Sequence, residues 1–298
     1  MVSTIQKWAG FVRFSHTIFA LPFALAAMTV AARDNRGWPG WKTFLLILAA
    51  MVSARTCAMA FNRVVDRKFD TLNPRTANRH LPRGEVSLAG AIALCALSAA
   101  GLVIAGYFLN PLCFYLSPVA LIVICFYSLT KRFTDYTHVF LGAALALAPV
   151  GAWLAVKGSN VSWQEILQMS TLAIAVVLWL VGFDIIYALQ DYEFDRSHGL
   201  HSLVVAWGQQ NALHAAFLAH MLMCGVLFAF GFMCGFRVAY IVGWLIIVGC
   251  LVLEHWIAQR RSLNWINVAF FRLNAVVSLV FLVVVATEVI FKGGFRMR

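Results

Sequence analysis

Apolar stretches of about 18 to 25 residues recur from one end of the chain to the other, each long enough to cross a hydrocarbon core of roughly 30 Å as a helix. They cover approximately residues 14–32, 43–62, 87–107, 112–130, 138–156, 166–188, 209–232, 238–258 and 267–290. Most connections between them are short, and the two longer ones with chemical content are 63–86 and 189–208. In lipid a helix satisfies its own backbone hydrogen bonds, so runs of this length are helices. The pattern predicts an all-α membrane protein of about nine transmembrane helices, one polytopic domain over residues 1–298 with no sizeable soluble part. The first stretch contains Pro22 and no cleavage signature follows it, so it reads as a first span rather than a cleaved signal.

Composition agrees with a bilayer environment. The chain is 62% hydrophobic and 12% charged, with a mean hydropathy of +0.83. The formal net charge of +11 reads as topology and anionic-lipid contact, not nucleic acid. With the N-terminus inside, thirteen of the 23 lysines and arginines fall in inner segments and eight in outer ones, which favours an inside N-terminus and an outside C-terminus. The seven cysteines lie within or beside apolar stretches and none forms a CxxC pair, so free thiols are expected.

The acids are scarce and clustered. Of 12 in all, Asp66 and Asp70 lie in "NRVVDRKFD" (62–70), and Asp184, Asp191, Glu193 and Asp195 lie in "DIIYALQDYEFD" (184–195). On a helix Asn62, Asp66 and Asp70 share one face, as do Asp184, Tyr187, Asp191 and Asp195. Each set begins near the end of a span. Four spans separate the two sets, an even number, so both emerge on the same side and are expected to face one another across one cavity.

Two facing carboxylate clusters repel unless something positive lies between them. A divalent cation answers this, and Mg²⁺ prefers carboxylate and water oxygens and commonly shares its shell with a substrate phosphate. The first loop adds Arg63, Arg67, Lys68, Arg75, Arg79 and Arg83, and guanidinium forks suit phosphate oxygens. Acids, metal and basic side chains together would bind a diphosphate, and apolar span walls would bind a lipid tail. A prenyl diphosphate has both parts.

At these two windows the sequence resembles the UbiA family of intramembrane aromatic prenyltransferases. "NRVVDRKFDTLNPRTANRHLPRGEV" (62–86) looks like the first aspartate-rich segment and its loop, and "DIIYALQDYEFDRSHGLHSL" (184–203) looks like the second. The resemblance implies Mg²⁺ held by Asp66, Asp70, Asp184, Asp191 and Asp195. It makes Asn62, Arg67, Lys68, Arg75 and Arg79 contacts for the diphosphate. Lys131 and Arg132 match a basic pair after the fourth span and would touch diphosphate or acceptor. The implied reaction moves a polyprenyl chain from its diphosphate to an aromatic acid of the 4-hydroxybenzoate type in ubiquinone or menaquinone synthesis. In that reaction Asp66, Asp191 and Arg132 take catalytic parts, with Asp191 orienting or deprotonating the acceptor, and Tyr187 lines the cavity. The implied setting is the bacterial inner membrane, with the N-terminus and both loops cytoplasmic. "VRFSHTIFALPFALAA" (12–27) resembles the futalosine-route members, which leaves a futalosine-derived benzoate, or the ring of a haem O or chlorophyll synthase, as alternative acceptors.

Smaller features complete the reading. Arg55 lies inside the second stretch, and an intramembrane arginine faces a cavity or an acid, so it is a candidate for the acceptor carboxylate. His198 and His201 form HxxH, but no further nitrogen or sulfur ligands lie nearby to make a zinc site. His16 opens the first stretch, facing either cavity or headgroups. A transporter is the reading from a different class, and it would place acids near the bilayer midplane rather than at span ends.

Overall fold

The computed structural model describes residues 4–12, 17–260 and 263–291. Among them the regular structure is entirely helical. The helices are α1 (Thr4–Phe11), α2 (Thr17–Ala31), α3 (Trp41–Leu72), α4 (Leu88–Leu109), α5 (Pro111–Thr130), α6 (Thr137–Lys157), α7 (Trp163–Ala188), α8 (Tyr192–Ser197), α9 (Leu203–Trp207), α10 (Gln209–Met233), α11 (Val238–Arg260) and α12 (Leu263–Phe291). Eight segments are long and apolar enough to cross a membrane: α3 to α6, α7 with its continuation to Ser197, α10, α11 and α12. The first expected span appears as the shorter apolar helix Phe19–Ala31. His16 and Arg13 lie outside the described residues.

Local sequence explains where these helices start. Ser87 caps α4 by accepting from Gly90 N, and Asn110 caps α5 by accepting from Cys113 N, with Pro111 in the first turn. Ser162 and Glu165 form a reciprocal capping box at α7.

Helix α3 carries its chemistry out of the apolar layer through its length. Its 32 residues extend about 48 Å at 1.5 Å each, well beyond a hydrocarbon core of roughly 30 Å. The last turns, which hold Asn62 to Asp70, therefore project past the apolar layer.

Helix α7 is the most enclosed span. Trp179 is fully buried against Phe23 of α2, with ring centroids 4.9 Å apart, and Phe23 stacks on Phe281 of α12 at 4.7 Å. Several polar groups inside this layer pair with one another, as lipid surroundings favour. Trp179 Nε1 donates to Asn274 Oδ1 at 2.6 Å, and Asn274 Nδ2 donates to Glu254 Oε2 at 2.8 Å. Gly142 on α6 fixes how closely α6 approaches α7: a Cβ there would sit 2.9 Å from the Val177 carbonyl oxygen. These contacts hold the rotation of α7, and so the direction in which Asp184 and Tyr187 point.

The second aspartate-rich segment is not one continuous helix. After Ala188 a 3-10 turn covers Leu189–Asp191, and α8 begins at Tyr192. The tighter winding changes the phase of Asp191 relative to Asp184, yet both still reach the same cavity.

Candidate active site

One cavity of about 530 Å³ runs between α3, α4, α5, α6 and α7. Its apolar length is lined by small and aliphatic side chains, among them Ala54 and Ala58 of α3, Leu102 of α4, Ile124 of α5 and Ala148 of α6. Its other end is strongly polar. Asn62, Asp66, Asp70, Asp184, Asp191 and Asp195 all line it, so the two sequence windows do meet.

Each carboxylate at that end already has a nitrogen partner. Asp66 Oδ1 accepts from Arg132 Nη2 at 3.1 Å, and its Oδ2 accepts from Asn62 Nδ2 at 2.7 Å. Asp70 Oδ1 pairs with Arg79 Nη1 at 2.5 Å. Asp191 is gripped by both forks of Arg75, with Nε at 2.8 Å from Oδ1 and Nη2 at 2.5 Å from Oδ2, and Asn73 Nδ2 adds a third bond at 3.0 Å. Asp195 Oδ2 accepts from Lys131 Nζ at 3.0 Å. Asp184 Oδ2 lies 2.6 Å from His138 Nδ1. The repulsion expected between two acidic clusters is thus met by the protein's own side chains.

The pairings also tie the two segments together. Arg75 comes from the loop after α3 and reaches Asp191 beyond α7; its Nη1 donates to Tyr187 OH at 2.9 Å, with the guanidinium 5.3 Å from the Tyr187 ring centre. Neighbouring residues Lys131 and Arg132, between α5 and α6, engage opposite segments, Asp195 and Asp66 respectively. Burial works against the charge of Lys131, but Asp195, Asp191 and Asp184 together hold its pKa above the ordinary lysine value. Arg75 is likewise buried, and its bond to Asp191 keeps its pKa raised in spite of that.

Of the expected residues, Asn62, Arg55, Arg75, Arg79, Lys131, Arg132 and Tyr187 line the cavity. Arg67 and Lys68 do not. Both are exposed on α3, because a step of one residue turns a helix by about 100° away from the Asp66 face. Arg63, one turn before Arg67, takes the inward position and lies 3.8 Å from Asp70 Oδ2. Asn73, Thr76 and His138 were not singled out from sequence. Asn73 and Thr76 follow the helix end in a loop with no periodicity, and His138 is a lone histidine at the start of a span. The two histidines of HxxH have separate partners: His198 stacks on Phe194, and His201 Nδ1 lies 2.9 Å from Asp135 Oδ1.

The sequence profile of the UbiA prenyltransferase family matches residues 20–276. The chain belongs to the UbiA prenyltransferase family. It is 31% identical over 260 residues to a 4-hydroxybenzoate octaprenyltransferase of Saccharophagus degradans, covering 85% of this chain and 83% of that one. Among solved structures it superposes on an apo UbiA homologue from Aeropyrum pernix K1 with a TM-score of 0.80 and 32% identity, covering 90% of this chain and 95% of the other. A UbiA homologue from Archaeoglobus fulgidus, bound to DMAPP and Mg²⁺, shares the fold at a TM-score of 0.69 and 21% identity, over 94% and 99% of the two chains. The chain is therefore an integral membrane prenyltransferase, and the polar end of its cavity is the candidate seat of transfer.

Proposed function

We propose that this prenyltransferase moves a polyprenyl group from its diphosphate to a ring carbon of an aromatic acid of the 4-hydroxybenzoate type, for quinone synthesis, with Mg²⁺ as cofactor. The observation that carries the reading is the division of one cavity into an apolar length and an end where five carboxylates meet five basic side chains. Relatives named for octaprenyl transfer to 4-hydroxybenzoate support it, as does the homologue bound to DMAPP and Mg²⁺.

The donor chemistry fits a hard divalent ion. The acids of both segments offer oxygen, and Asp70 Oδ2 is buried without a hydrogen bond among the described residues. Among the described residues three acids do not converge closely enough to form a ligand cluster. Asp66, Asp70, Asp184, Asp191 and Asp195 remain our assignment for holding Mg²⁺, with diphosphate oxygens completing the shell. Bound there, Mg²⁺ would supply charge neutralisation for the leaving group.

The chain's own residues do the rest. Arg75, Arg79, Lys131 and Arg132 point into the polar end and receive the diphosphate, exchanging carboxylate partners for phosphate oxygens. They stabilise the negative charge that grows as the allylic carbon–oxygen bond breaks. The ring of Tyr187 faces the developing cation. The acceptor ring attacks to form the new carbon–carbon bond, and its proton passes to a site carboxylate. Asp191, still held by Asn73 once Arg75 turns to the diphosphate, is our assignment for orienting the acceptor. Arg55, inside α3 and lining the same cavity, is our assignment for the acceptor carboxylate.

The test is direct. Membranes containing the chain, given labelled polyprenyl diphosphate, Mg²⁺ and a panel of aromatic acids, should yield a labelled prenylated acid, and omission of Mg²⁺ should abolish it. Solute uptake with no prenylated product from any acceptor would refute the assignment.

A further inference from the structure

His138 belongs to no sequence window and does not line the cavity, yet it is completely buried and directly behind a carboxylate that does. Its Nδ1 lies 2.6 Å from Asp184 Oδ2. Its Nε2 is buried with no hydrogen-bond partner among the described residues. A carboxylate oxygen accepts, so Nδ1 carries the proton and donates.

Asp184 differs from the other four acids of the cavity. Asp66, Asp70, Asp191 and Asp195 each pair with an arginine or a lysine, whereas among the described residues Asp184 pairs with this imidazole and feels Lys131 only at longer range. Its Oδ2 is taken by His138 and the side chain stays partly open to the cavity. The backbone arrangement explains the contact. Helices α6 and α7 are consecutive antiparallel spans pressed together at Gly142 and Val177. One turn back along α6 is His138, and two turns forward along α7 is Asp184.

We infer that His138 is a positioning residue: it holds Asp184 by Oδ2 so that Oδ1 is presented to the cavity for a divalent cation. This rests on the proposed prenyl-transfer reading for its context, but its test does not depend on turnover. Outer partners that orient a metal-binding side chain typically change metal affinity by about 10- to 100-fold when removed.

The experiment measures Mn²⁺ binding to the purified full chain by electron paramagnetic resonance, without acceptor, in wild type and in His138→Leu, His138→Asn and His138→Gln. The asparagine amide can donate from nearly the Nδ1 position; glutamine reaches instead toward Nε2. His138→Asn is expected to bind within about threefold of wild type, while leucine and glutamine weaken binding by about 10- to 100-fold. Prenyl transfer should follow the same order at low metal and converge at saturating metal. Unfolding midpoints show which variants are folded; if leucine fails, asparagine against glutamine carries the comparison. Equal binding in all folded variants, or asparagine as weak as glutamine, overturns the inference. Wild-type chain that binds Mn²⁺ with this dependence but forms no prenylated product would instead overturn the transfer reading alone.

Discussion

Asp191 shows how much one side chain is asked to do. It accepts three hydrogen bonds, two from Arg75 and one from Asn73, at a position only 5% exposed. Asp191→Asn removes the charge and replaces one acceptor with a donor facing Arg75. Losing a preorganised electrostatic group of this kind costs about 100-fold or more in rate, so prenyl transfer should fall by at least that much while the purified protein stays monodisperse. The basic residues of α3 divide the other way. Arg67→Ala and Lys68→Ala touch exposed side chains and should stay within about 0.5 kcal/mol of wild type, roughly a twofold change in rate. Arg79→Ala should be far more damaging, because it leaves Asp70 buried with only the distant Arg63. Parallel rate measurements on the three variants decide the point. The four-residue spacing of Asn62, Asp66 and Asp70 already marked the inward face in the sequence. The same 100° rule places Arg63 inward and Arg67 and Lys68 outward. Which nitrogen donor meets which acid was not legible, because each pairing joins residues 64 to 118 positions apart or sits in an aperiodic loop.

At the scale of helices, the hydropathy pattern reported the spans well because lipid imposes one rule on every one of them. It ended the sixth span at residue 188, where α7 does end, but the single helical face drawn through Asp184 to Asp195 is interrupted by a 3-10 turn at Leu189–Asp191. It was equally silent on the spacing between helices, which depends on a single missing methyl group. Gly142 lets α6 rest against the backbone of α7 at Val177. Gly142→Leu must push the two apart, and overpacking of this kind costs about 1–3 kcal/mol. The unfolding temperature in detergent should drop. Because His138 and Asp184 lie along the same seam, metal affinity should weaken as well. A variant less stable but unchanged in Mn²⁺ affinity would show that the seam and the site are independent.

For the whole molecule the decisive inference was one of parity. Four spans, α4 to α7, separate the first acidic window from the second, and an even count returns the chain to the side it left. That argument needs no side-chain detail, which is why two short windows could be assigned to one site from sequence alone. The meeting of both windows in one cavity agrees with it. The same counting gives a test of sidedness. Lys68 on α3 and Arg196 on α8 are exposed and lie on the side of the polar end, whereas exposed Asp34 precedes α3 and lies across the bilayer. We propose that the polar side is cytoplasmic, the orientation favoured by the distribution of lysine and arginine among the connections. Single cysteines placed as Lys68→Cys, Arg196→Cys and Asp34→Cys should therefore separate under a membrane-impermeant maleimide. In inverted vesicles, whose cytoplasmic face is outward, the first two should label and the third should not. Right-side-out vesicles should give the opposite result, with the parent chain setting the background from its seven native cysteines. Labelling of Lys68→Cys and Arg196→Cys from opposite faces would break the parity, and with it the single shared site. Labelling of both from the outer face would keep the site but turn it to the other side of the membrane.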